Sequence, residues 1–196
     1  MSYTQLEAAF VKQLDWANRE LRTTEQWWDD VSNDPEKLIL WLKDQFYGEQ
    51  TAAARIRGLL DQYPDITKTE RELVTMIADD EDKHAEWVKG LLIARGIPVT
   101  YFREKSVRYW DKTLPKGDAT FSQMCAIGHH AEVMRLERIK LLAQDGRFDD
   151  IARVFGKILP DEEFHTKAFK VMSTPEDIAA ALPAHQEGMN ALGLVA

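Results

Sequence analysis

Asp80-Glu81-Asp82-Lys83-His84 and Asp161-Glu162-Glu163-Phe164-His165 carry one pattern, Asp-Glu-x-x-His, and the fold follows from where the two copies stand. Residues three apart are neighbours on a helix face, so each copy presents a carboxylate beside an imidazole. Both interrupt apolar stripes of helical period: Leu73, Ile77, Glu81, His84, Val88 and Leu91 in one, Phe155, Ile158, Glu162, His165, Phe169 and Met172 in the other. Two more stripes each admit a single glutamate. Glu49 follows Leu38, Leu42 and Phe46, and Glu132 follows Phe121, Cys125 and Gly128. Ionisable groups at core-facing positions are strongly destabilising unless they are paired or bind a metal, so these six side chains need a common partner.

Spacing arranges the four helices. Glu49 and Glu81 lie 32 residues apart and Glu132 and Glu162 lie 30 apart, as two antiparallel helices with a short turn require for both groups to stand at one height. The 51-residue step from Glu81 to Glu132 contains residues 96–117, with two prolines, a length suited to a crossover between bundle ends. Asp34-Pro35 reads as an N-cap with proline at the first helical position, and Thr67-x-x-Glu70 as a capping box. Gly96 closes that second helix, the next starts near Asp118, and Thr174-Pro175 caps a last, weaker helical stretch interrupted by Pro183 and Gly188. A leading helix of about 25 residues is striped by Leu6, Phe10, Leu14, Ala17, Leu21 and Trp28. The expectation is one all-α domain over 1–196, with a packing helix in 1–33, a four-helix core in 35–172 and an extension in 174–196.

Charge and composition exclude several functions. The 196 residues hold 25 Lys+Arg against 33 Asp+Glu, a net charge of −8, with no basic run to track a phosphate backbone or an anionic membrane. Neither nucleic acid nor a membrane is expected as partner. A single cysteine, Cys125, excludes an internal disulfide and any four-cysteine metal site. No signal-peptide core and no run of 18 apolar residues appears, so a cytoplasmic location is expected.

With one Glu from each of two helices and Glu-x-x-His from each of two others, the chain resembles the ferritin-like di-iron carboxylate superfamily over about residues 35–172. That resemblance implies an antiparallel four-helix bundle with a long crossover, an extra N-terminal helix and a short C-terminal one. It also implies a site for two iron ions, with manganese as the alternative. Glu49, Glu81 and His84 would serve mainly one metal and Glu132, Glu162 and His165 the other, with Glu81 and Glu162 as candidate bridges. Four carboxylates (−4) and two divalent ions (+4) balance. In related monooxygenases and ribonucleotide reductase small subunits an Asp before the motif orients a histidine of the facing helix. Here Asp80 would serve His165 and Asp161 would serve His84.

Departures from relatives narrow the choice. Bacterioferritins resemble the ligand set, but no Met follows Glu81 to offer a haem ligand, and Trp16, Trp27 and Trp28 belong to an added N-terminal helix. Rubrerythrins resemble the bundle, yet their four-cysteine electron-entry domain is lacking and Arg135 stands where a seventh glutamate would be. Val88 replaces the tyrosine that radical chemistry would want. These features lean towards an oxidase or oxygenase that uses O₂, an external electron donor and a small organic substrate. The alternatives are a ferroxidase or peroxide-removing protein, oligomeric in some forms, and a metal-binding bundle without catalysis.

Other residues receive smaller roles. His129, one turn before Glu132, is a candidate neighbour of the ligands, whereas His130 and His185 read as surface residues. Pro160 leaves the Gly156 carbonyl without its helical donor, which predicts a kink or bulge. Phe46, Trp87, Phe121, Phe155 and Phe169 are candidates for the walls of a small apolar pocket, and Cys125 for a buried hydrophobe.

Overall fold

A computed structural model describes residues 21–99 and 108–195. Seven helices follow one another among the described residues: α1 (Thr24–Ser32), α2 (Pro35–Gln62), α3 (Lys68–Ala94), α4 (Arg108–Thr113), α5 (Phe121–Gln144), α6 (Asp149–Val171) and α7 (Pro175–Ala191). Pairs α2–α3 and α5–α6 are the two hairpins, α3 packs on α6 to join them, and α7 covers α5 and α4. No strand occurs among these residues. The one β-type contact is an isolated bridge between Arg22 and Leu194.

Caps set the helix starts. Asp34 accepts from the backbone N–H groups of Glu36 and Lys37 ahead of Pro35, and Thr67 and Glu70 form the expected capping box. Gly96 takes a φ of +67°, the left-handed turn that ends α3. Helix α5 begins at Phe121, three residues after Asp118, because Thr120 caps it in a second box with Gln123.

Three expectations about the periphery need correction. The leading helix is not continuous into Trp28: Thr23 is extended and caps α1 with Gln26, while the stripe from Leu6 to Ala17, with Trp16, lies outside the described residues. Pro183 and Gly188 do not interrupt the last helix, which runs unbroken to Ala191. Pro183 and Ala179 are both exposed, so water reaches the carbonyl that the proline cannot serve. The same holds for Pro160 and Gly156, and α6 passes through Pro160 without a break. Gly188 is there for packing: a Cβ on it would lie 2.6 Å from the Tyr109 ring, so only glycine lets α4 approach α7 this closely.

The third correction concerns His185, which is buried and not a surface residue. Its Nδ1 stands 2.8 Å from the Tyr109 hydroxyl, and its ring stacks on half-buried His130 at 5.0 Å. His130 in turn donates from Nε2 to the Ile178 carbonyl at 2.8 Å, tying α5 to α7.

Two apolar clusters fill the bundle. One holds Trp28, Leu42, Phe46, Val88, Leu92, Leu142, Ile151 and Phe155, the other Ile56, Leu59, Val74, Ile77, Cys125, Phe169 and Met172. Along every core helix the crossing from one cluster to the other falls at the sequence-marked glutamates: Glu49 between Phe46 and Ala52, Glu81 between Ala78 and Ala85, Glu132 between Cys125 and Ile139, Glu162 between Ile158 and Ala168. The polar residues form a layer between two hydrophobic ones. α1 closes one end, where buried Trp28 packs edge-on against Trp41 at 5.1 Å and donates its indole N–H to Asp145.

Burial, with neighbouring His130 adding to it, lowers the His185 pKa from 6.5 to about 4. The folded chain therefore refuses a proton that the unfolded chain accepts, and stability that is complete above pH 6.5 is lost as the pH falls towards 4. Urea midpoints measured at pH 7 and pH 5 should fall further for the unaltered protein than for His185→Gln.

Candidate metal centre

The polar layer gathers all six sequence-marked side chains. Glu49 projects from α2, Glu81 and His84 from α3, Glu132 from α5, and Glu162 and His165 from α6; five are completely buried and Glu132 is 4% exposed. The rings of His84 and His165 are 5.7 Å apart. Two groups of four can each direct one donor atom to within 4.8 Å of the others: Glu49, Glu81, His84 and Glu162, and Glu81, Glu132, Glu162 and His165. Glu81 and Glu162 belong to both.

The two motif aspartates cross over to the facing helix. Asp161 Oδ2 lies 3.1 Å from His84 Nε2, and Asp80 Oδ2 lies 3.4 Å from His165 Nε2. An ionised carboxylate only accepts, so each imidazole donates its Nε2–H outward and keeps the Nδ1 lone pair facing the layer. His165 Nδ1 is 3.3 Å from Glu81 Oε1, and His84 Nδ1 is 3.5 Å from Glu162 Oε1. Burial lowers both histidine pKa values, that of His84 to about 4, which keeps the rings neutral.

Arg135 is a member of this layer that the sequence reading noted only as a missing glutamate. Its Nη2 donates to Glu49 Oε2 and, at 3.0 Å, to Glu162 Oε1, while Nη1 donates to Glu81 Oε2 at 3.3 Å. The available signal was its position three residues after Glu132, on the same helix face. Gln45, one turn before Glu49, donates to Glu49 Oε1.

One guanidinium does not balance four carboxylates. Burial raises the pKa of Glu49 to about 7 and pushes Glu81 and Glu162 upward as well, against the pull of Arg135. Burial acts against the charge on Arg135 too, but the surrounding glutamates hold its pKa well above the usual value. Of the six sequence-marked side chains, five contribute a buried atom without a hydrogen bond: Glu81 Oε1, His84 Nδ1, Glu132 Oε2, Glu162 Oε2 and His165 Nδ1. Hard carboxylate oxygens with neutral imidazoles, stripped of water and aimed at each other, form a donor set that fits divalent iron or manganese.

The other candidates sit elsewhere. His129 belongs to neither donor group; its Nδ1 donates to the Thr166 carbonyl at 3.0 Å, pinning α5 to α6 beside His165. Phe46 and Phe155 belong to the Trp28 cluster, and the Trp87 ring lies 5.7 Å from His84. Of the five aromatics, Phe169 lines the cavity that Glu132 and Arg135 also line.

Repulsion in the metal-free layer has a measurable sign. A carboxyl whose pKa is raised by folding destabilises the folded state at high pH, and the penalty fades as the pH falls towards the unfolded value near 4.5. Glu162→Gln should raise the thermal midpoint of the metal-free protein at pH 8 by a few degrees, roughly what 1 kcal/mol yields at this size, with a smaller gain at pH 5.

The rubrerythrin family model matches residues 41–173, more than half of the chain. No curated protein and no solved structure matches it. The matched segment begins in α2, ends just past α6 and contains every side chain of the polar layer, so this chain belongs to the rubrerythrin family of the ferritin-like di-iron superfamily.

Proposed function

We propose that the polar layer binds two iron ions and that the protein uses them with O₂ to oxidise a small apolar organic molecule. A cavity of about 60 Å³ carries this reading. Ala52, Ile56, Ile127, Ala131 and Phe169 supply apolar walls, Trp110 and Leu114 join them from the crossover side, and Glu132 and Arg135 of the polar layer line it as well. Arg55 lies over the Trp110 ring at 4.1 Å. A compact organic molecule gains by leaving water for such a space, whereas a hydrated cation does not.

Iron supplies the redox chemistry, and the chain supplies placement. Glu81 and Glu162 reach both donor groups and suit the bridging role, Glu49 and Glu132 complete the two ends, and His84 and His165 give neutral nitrogen. Asp80 and Asp161 fix the rings from outside. The apolar layers on either side keep water away, so protons near the centre are held by the carboxylates, Arg135, Gln45 and the Nε2–H groups of the two imidazoles. In this reading an external donor supplies the electrons; Cys125 is buried, with its thiol pKa pushed up to about 12, and takes no part. A cytoplasmic setting suits that free thiol. Among the described residues no helix is long and apolar enough to cross a membrane.

Family membership favours a second reading, removal of peroxide or oxidation of free ferrous iron. The two separate on loading the metal-free protein anaerobically with Fe(II). O₂ consumption coupled one-to-one to an added small hydrocarbon or aromatic, and slowed by Ala52→Leu without loss of iron, supports the oxygenase. Rapid multiple turnover of H₂O₂ or of excess Fe(II), indifferent to Ala52→Leu, supports the alternative and rejects our first reading. Fewer than two metals per chain overturns both. Asp80→Asn and Asp161→Asn should each weaken iron binding by about 10- to 100-fold.

A further inference from the structure

The two donor groups are not equally free. Glu81 Oε1, Glu132 Oε2, Glu162 Oε2 and His165 Nδ1 supply one atom from every member of the second group, and none of the four has a hydrogen bond. The first group shares Glu81 and Glu162 with it, and of the two members that are its own only His84 Nδ1 is in that state, since Glu49 accepts hydrogen bonds on both oxygens, from Gln45 and from Arg135. Its three carboxylates turn their other oxygens, Glu49 Oε2, Glu81 Oε2 and Glu162 Oε1, to the guanidinium of Arg135. Glu132 lies further off, 3.9 Å from Arg135 Nε.

We infer that Arg135 holds the place of a cation at the Glu49–His84 end, so that a first divalent metal enters at the His165 end and a second binds only by displacing the guanidinium. This rests on the two-metal reading above and adds an order of filling to it. Charge favours that order. Four carboxylates with Arg135 sum to −3; one divalent ion brings the layer to −1, and a second would bring it to +1 with the guanidinium still inside. In a water-poor layer that excess positive charge is relieved by moving the arginine out. An exit exists: the Arg135 side chain is 19% exposed and lines the apolar cavity, so rotation about its stem leads there and not into packed core.

Pseudo-symmetry in the ligand set therefore conceals a functional asymmetry. The Glu-x-x-His pairs match, but the lone glutamates do not, because one of them shares its helix face with Arg135 and the other does not. The arginine also keeps the empty layer partly neutralised.

Titrating the metal-free protein with Co(II), followed by calorimetry and by visible absorption, tests the order of filling. The unaltered protein should bind its first equivalent at least about tenfold more tightly than its second. Arg135→Met should tighten the second by about tenfold or more and leave the first nearly unchanged, while lowering the thermal midpoint of the metal-free protein. A parallel pair avoids altering the arginine at all: His165→Ala should abolish the tight equivalent, whereas His84→Ala should leave it within about threefold. Two equivalents of equal affinity in the unaltered protein, or loss of the tight equivalent in His84→Ala instead of His165→Ala, overturn the inference and leave the two-metal reading standing. Failure of every variant and of the unaltered protein to bind even one equivalent overturns both.

Discussion

Four carboxylates buried in one layer govern this structure. Each must leave water on folding, and their mutual repulsion is strongest where the dielectric is low, so the layer is tolerable only with positive charge or protons inside it. The apolar clusters on either side define how thick the layer is, the aspartates on facing helices fix the histidines from outside, and Arg135 reaches in with its positive charge. Metal-free, the bundle carries an electrostatic load that its hydrophobic packing must outweigh. Ligand binding and folding stability are therefore coupled through the same few atoms.

Much of this was legible because helical period and charge conflict so openly here. Glu81, His84, Glu162 and His165 break apolar stripes at fixed spacing, and the hairpin geometry follows from counting residues between them. The crossed pairing of Asp80 and Asp161 followed from resemblance to other di-metal proteins and not from spacing. The sequence read less well wherever a residue's role depends on its partner in space. Arg135 looked like an absent ligand because its length and flexibility let it reach carboxylates on three other helices, which no local pattern reports. His185 looked like a surface residue because the Tyr109 hydroxyl that receives it comes from the crossover. Pro183 looked like a breaker because exposure of the Ala179 carbonyl, which removes the penalty, is a tertiary fact.

Family membership and local chemistry act at different scales. Residues 41–173 place the chain among rubrerythrins, yet the residue three places after Glu132 reverses sign relative to the carboxylate expected there. A carboxylate at that place would add to the ligands, whereas an arginine competes with the metal. The nearby cavity is lined by small and apolar side chains, with Gly128 so close to Phe169 that a Cβ would stand 3.0 Å from its ring. The scaffold is thus shared while the electrostatics and the wall chemistry around it are this chain's own.

The small bridge between Arg22 and Leu194 joins segments almost the whole described chain apart. Its two hydrogen bonds, Arg22 N–H to the Gly193 carbonyl at 3.0 Å and Val195 N–H to the Arg22 carbonyl at 3.1 Å, close the longest loop among the described residues. Hairpins α2–α3 and α5–α6 need only short loops, so they can assemble early, while this contact must wait until α7 has docked on α5 and α1 on the far end of the bundle. The bridge then acts as a latch: it reports completion of the fold, and its opening would part Arg22 from Leu194 while the polar layer stayed closed.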